Sequence, residues 1–152
     1  MSQSVRTIGI DPGKSGGIAI ISEDEIIAVK TPYEPIQMSM LVTSAVNSAH
    51  VKNEKVSVYI ENVHAFPTDG RSSAFKFGTN YGMWLGILAT HKLTPIKVSP
   101  FKWMQQFQPL SKIKKERKQM LKEIAQEMFP KIRVTLSTSD AILIAVYGVN
   151  NE

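Results

Sequence analysis

Three carboxylates stand where apolar runs end or begin, far apart in the chain. Asp11 follows Ile8-Gly9-Ile10, Glu61 follows Val58-Tyr59-Ile60, and Asp140 precedes Ala141-Ile142-Leu143-Ile144. An apolar run holds its terminal side chain rigidly, and acids that converge at one sheet edge repel strongly unless a cation neutralises them. The pattern points to a divalent-metal site and a metal-dependent enzyme. The chain has no cysteine, so every ligand must be oxygen or imidazole, and oxygen ligands favour magnesium, with manganese as the alternative. Each acid also has a plainer reading. Asp11 before Pro12-Gly13 suits a turn, and Asp140 suits a helix start, where a negative charge complements the macrodipole. Glu61 at a strand end is harder to explain structurally, and it is the coincidence of all three that decides.

The elements that would position these acids follow from hydropathy period and turn chemistry. Val5 to Ile10 reads as a strand, the residues from Asp11 to Gly17 as a turn, and Ile18 to Ile21 as the returning strand. Glu23-Asp24 turns the chain again into Ile26 to Val29, which gives three antiparallel strands. Apolar residues at helical spacing from Ile36 to Val51 predict a helix, and the strand Val56 to Ile60 after it should lie parallel to an earlier one. A long helix is expected over 72–90, a short strand over 95–98, and a helix opened by Ser99-Pro100 and running through Trp103. A basic amphipathic helix over 112–128 and a buried last helix over 137–147 complete the order. The result is an α/β fold with a mixed five-stranded sheet flanked by helices. Gly78, Gly82 and Gly86 fall four apart on one helical face at about 1 kcal/mol each against alanine. Packing on the sheet is the expected reason, and a dimer contact the sharper one.

At 152 residues and 43% hydrophobic content the chain fits a single domain over 1–152. Eighteen Lys and Arg against 13 Asp and Glu give a net charge of +5, which favours a polyanionic partner. The N-terminal Met-Ser-Gln-Ser-Val-Arg carries no long apolar region and nothing is long enough to span a bilayer. A soluble, intracellular, cytoplasmic protein with no membrane partner is expected.

Four segments together resemble the RuvC-like Holliday junction resolvases, particularly their phage and viral branch, within the ribonuclease H-like superfamily. They are Ile8-Gly9-Ile10-Asp11-Pro12-Gly13, Ile60-Glu61-Asn62-Val63, Phe77-Gly78-Thr79-Asn80-Tyr81-Gly82, and Ser139-Asp140-Ala141-Ile142-Leu143-Ile144-Ala145. The first alone also opens sugar kinases and actin-like ATPases, which need two such domains and a longer chain. The resemblance spans nearly the whole chain. It implies a crossover junction endodeoxyribonuclease, a hydrolase of phosphodiester bonds serving recombination and repair. Asp11, Glu61 and Asp140 match the family's catalytic and metal-binding carboxylates, with Asp11 bridging two magnesium ions. Two-metal hydrolysis would leave a 5′ phosphate. The family's further acidic ligand, one helical turn before the last aspartate, falls on or near Ser137, a poor ligand whose place water, Asp69 or His64 would have to fill.

The resemblance also implies a homodimer acting on four-way or otherwise branched DNA, with no small-molecule cofactor. Its junction-stacking aromatic corresponds to His64, with Phe66 two residues on. The run from Lys112 to Lys118 carries five positive charges against one negative, in Lys112, Lys114, Lys115, Arg117 and Lys118. It is either a solvated helix face or the basic rim that phosphate attraction requires. Lys14, Arg71, Lys76 and Lys102 are further DNA-binding candidates, while Phe75 and Phe77 read as core and Trp84 and Trp103 as packing residues. Two alternatives stay open: a branched-DNA-binding protein with weakened catalysis, motivated by Ser137, and a flap- or RNA-directed nuclease of the same fold.

Overall fold

In the computed structural model, which describes residues 3–152, the strands are β1 (Val5–Asp11), β2 (Gly17–Ile21), β3 (Ile26–Lys30), β4 (Lys55–Glu61) and β5 (Ile96–Val98). The helices are α1 (Pro35–Val51), α2 (Arg71–Thr90), α3 (Pro100–Met104), α4 (Lys114–Met128) and α5 (Ser139–Asn150), with a 3-10 turn at Gln105–Phe107. One mixed sheet runs in the order β3-β2-β1-β4-β5. The turns after β1 and β2 are too short for a crossover, so β1, β2 and β3 are antiparallel neighbours. α1 is long enough to return the chain to the starting edge, and β4 pairs parallel to β1 with Ile10 opposite Ile60. β5 then pairs parallel to β4.

Alternation along the central strands feeds two cores. Ile8, Ile10, Ile18, Ile20, Val58 and Ile60 pack with Met38, Val42, Trp84 and Leu88 of α1 and α2. On the other face Ala19 and Tyr59 meet α5, with α3 and α4 closing the layer through Trp103, Leu121 and Ala125. Each fully buried isoleucine contributes roughly 1.5–3 kcal/mol. α5 is apolar all round, and Ala141 through Gly148 are buried, as a helix at the centre of a core must be.

α5 lies unusually close to β1 because of Gly9. A Cβ there would run into the Ala141 carbonyl oxygen and the Ala145 amide nitrogen, which are backbone atoms that cannot yield. At the other end of α5, Gly148 leaves room for the Tyr59 ring.

Three expectations need correction. The glycine face of α2 does not pack on the sheet: a Cβ at Gly78, Gly82 or Gly86 would meet nothing within 4 Å, and the buried face is that of Asn80, Trp84 and Leu88. Phe75 is 76% exposed rather than core, because the start of α2 packs on the Pro12-Gly13 turn instead of the sheet. The helices at 112 and 137 begin two residues later than expected, at Lys114 and Ser139. Among the described residues no helix is long and apolar enough to cross a membrane.

Candidate active site

Asp11 and Glu61 end adjacent parallel strands, one residue past the Ile10–Ile60 pair, so their backbones lie about 4.8 Å apart at the same sheet edge. Asp140 sits in the first turn of α5, which Gly9 lets settle against β1. All three side chains line one cavity of about 670 Å³. Its floor is the turn from Pro12 to Gly16, and Phe66, Phe77, Pro100 and Met104 contribute apolar walls. Lys14, Lys114, Arg117 and Lys118 supply the positive rim.

The turn after Asp11 is held from outside. Gly13 has φ +104°, a left-handed conformation that glycine adopts without strain, and its N–H donates to Asn80 Oδ1 at 2.8 Å. Asn80 is fully buried on α2, so this bond fixes the Asp11 turn against the helix. Glu61 is oriented by a residue whose sequence context suggests packing alone: Trp103 Nε1 donates to Glu61 Oε2 at 2.7 Å.

Burial pushes the Asp11 carboxyl well above its ordinary range, and the charges of Glu61 and Asp140 push it further, against a partial offset from Lys118. Glu61 is also raised by burial, with the Trp103 hydrogen bond pulling it back, Asp140 pushing it up and Lys118 pulling it down. Asp140 is raised by burial and relieved in part by Lys118 and Arg117. Arg117 is itself committed to the chain before α4, donating to the carbonyls of Ser111 and Lys112 at 3.3 and 3.1 Å.

These groups suit a divalent cation in donor chemistry: three hard oxygen ligands, half-buried and mutually repelling. Among the described residues no three acidic, histidine or cysteine side chains are gathered tightly enough to grip one ion as they stand. The three acids nonetheless line one cavity, Asp11 and Glu61 from the ends of adjacent strands and Asp140 from the first turn of α5.

The other candidates divide. Ser137 does not line the cavity; it lies in the turn before α5 with its carbonyl oxygen against Gly17, so it cannot stand in for a fourth acid. Asp69 is occupied as a loop cap, its Oδ2 accepting from the Phe66 N–H at 2.7 Å. His64 is exposed, outside the cavity, and tilted against Phe66 with ring centroids 5.0 Å apart. Phe66 and Phe77 do line the cavity, the latter having been expected in the core. Arg71, Lys76 and Lys112 are exposed away from it, Lys115 faces a separate groove with Glu116 and Glu123, and Lys102 another beside Tyr147.

No family model and no curated protein matches the chain. Among solved structures, it superposes on Thermus thermophilus RuvC with a TM-score of 0.63 at 16% identity, covering 95% of this chain and 93% of that one. T. thermophilus RuvC in complex with a Holliday junction substrate gives a TM-score of 0.61 at 18% identity, over 95% and 92%. The sheet order, the flanking helices and this superposition agree: the chain is built on the ribonuclease H-like fold of the RuvC-type resolvases.

Proposed function

We propose that the protein is a cation-dependent, structure-specific endonuclease that cuts branched DNA, with the four-way junction as its substrate. The observation that carries this reading is the convergence of Asp11, Glu61 and Asp140 in a single cavity rimmed by Lys14, Lys114 and Lys118. The structural neighbour bound to a Holliday junction substrate supports it. Magnesium or manganese held by the three carboxylates would neutralise the developing phosphorane charge and lower the pKa of the attacking water. The chain's own groups do the rest. Lys14, Lys114 and Lys118 draw a phosphodiester over the acids, and the Asn80-tethered turn keeps Asp11 in place as the substrate arrives. Phe66, 60% exposed at the cavity's edge, offers a ring on which an unpaired base can stack for roughly 1–3 kcal/mol.

The deciding experiment incubates the protein with a labelled four-way junction, a linear duplex and a flap, with and without magnesium or manganese. Paired symmetric nicks confined to the junction and dependent on the cation are expected. Equal cutting of flap or RNA would move the substrate class. One observation favours a second reading, a junction-binding protein with weakened catalysis: among the described residues no fourth acid lines the cavity where Ser137 was expected to stand. Tight binding without nicks would establish it.

The rim makes its own prediction. Replacing Lys114 and Lys118 with alanine should flatten the salt dependence of junction binding by about two units of slope, roughly 0.9 for each phosphate no longer neutralised. Lys115→Ala, on the far groove, should leave the slope alone. An unaltered slope in the double variant would make α4 a solvated face.

A homodimer belongs to the same proposal, since a four-way junction presents two scissile strands related by a two-fold axis. The open glycine face of α2 allows a second copy's helix to approach closely. Gly82→Leu should then convert a dimer in sedimentation to a monomer; a dimer that persists would place the contact elsewhere.

A further inference from the structure

Two tryptophans are fully buried, and their N–H groups are treated differently. Trp84, in the layer of α1 and α2, has no hydrogen-bond partner for Nε1 among the described residues. Trp103 donates its Nε1 hydrogen to Glu61 Oε2 at 2.7 Å. The segment that carries Trp103 is well fixed. Ser99 caps α3 by accepting from the Lys102 N–H at 3.2 Å, and Pro100 occupies the first helical position. The ring packs in the α4 and α5 core and edge-on to Phe107, with centroids 6.4 Å apart. An indole wedged in this way cannot follow a rotating carboxylate; it sets the carboxylate's orientation instead.

A glutamate has two oxygens to offer a cation, and here one of them already accepts a charge-assisted hydrogen bond. We infer that Trp103 is a positioning residue that restricts Glu61 to single-oxygen coordination and thereby selects small octahedral cations over larger ones. This rests on the cation-dependent reading of the site. Magnesium-sized ions demand near-ideal octahedra and take carboxylates through one oxygen, whereas calcium takes six to eight oxygens and readily accepts both from one carboxylate. With Oε2 held by the ring, the two-oxygen mode would require breaking a part-buried hydrogen bond, a penalty that falls on ions such as calcium that take both oxygens of a carboxylate. Ligand partners of this kind typically govern 10- to 100-fold in metal affinity.

The test uses the full chain stripped of metal, titrated calorimetrically with manganese alone and with calcium alone. Wild type should prefer manganese. Trp103→Phe should weaken manganese binding by about 10- to 100-fold and narrow the manganese-to-calcium affinity ratio by about tenfold. Trp84→Phe should change neither. Equal manganese binding by wild type and W103F would overturn the inference while leaving the cation site standing. A loss shared equally by both ions would reduce Trp103 to a packing residue. Absence of any binding by wild type would remove the site and the inference together. Should W103F not fold, the wild-type indole resonance answers the same question. In a 15N spectrum, with W84F supplying the assignment, the Trp103 N–H signal should move on Glu61→Gln and on adding magnesium, and a signal that ignores both would refute the contact.

Discussion

Asp11→Asn should lower junction cleavage by at least about three orders of magnitude while leaving folding and junction binding intact. The substitution keeps shape and removes charge at the acid that the other two press upon most strongly. It should also stabilise the metal-free protein. Burial and the neighbouring acids raise the folded-state pKa of Asp11 above its ordinary value of 3.8. The charged form is thus disfavoured by folding, and stability improves as pH falls from neutral through that raised value. A neutral amide at the same position carries no such penalty. In chelator at pH 7 the variant should melt higher than wild type, by about 2–4 °C for each kcal/mol of relieved repulsion. The gap should close as pH drops toward the unfolded value. Thermal unfolding at several pH values in chelator, beside a cleavage assay, measures both effects. Near-normal cleavage would remove Asp11 from the mechanism, and a lower melting point at pH 7 would remove it from the repelling cluster.

Gly9→Ala should be the most damaging single methyl in the molecule. Its Cβ lands on backbone atoms of Ala141 and Ala145, so α5 must move away from β1 as a body. We expect about 3 kcal/mol of destabilisation, the upper part of the range for overpacking, and a melting temperature lower by roughly 6–12 °C. Cleavage should fall further than stability explains, because the same shift carries Asp140 away from Asp11 and Glu61. Circular dichroism melting and turnover below the melting range separate the two losses. Unchanged melting would show that α5 does not seat on Gly9.

Much of this architecture was legible in the chain because its signals are local. Short turns force antiparallel neighbours, a 17-residue helix permits the parallel return, and each of the three acids abuts an apolar run. What escaped was tertiary. On α2 two stripes share one spacing, Gly78-Gly82-Gly86 and Asn80-Trp84-Leu88, and only the packed structure shows which faces the sheet. Ser137 would share a face with Asp140 only if one helix ran through both, and α5 begins at Ser139. The bonds from Trp103 to Glu61 and from Gly13 to Asn80 span 42 and 67 residues, and no period or motif announces such pairs. Two buried polar-capable side chains, an asparagine at helix centre and a tryptophan just after a short strand, were the available hints.

α5 has a consequence for how the molecule opens. Its residues from Ala141 to Gly148 are buried on every side, whereas the segment from Asn62 to Gly70 is largely exposed and makes few internal hydrogen bonds. Amide hydrogens behind Asp140 should therefore exchange with solvent only through global unfolding, while those around His64 and Phe66 exchange through local opening. Asp140 is thus expected to ride on a slow-exchanging helix, and the aromatic loop that follows Glu61 to exchange fast. On the proposed function, a branch point would be met by a segment that opens locally while α5 stays seated on β1.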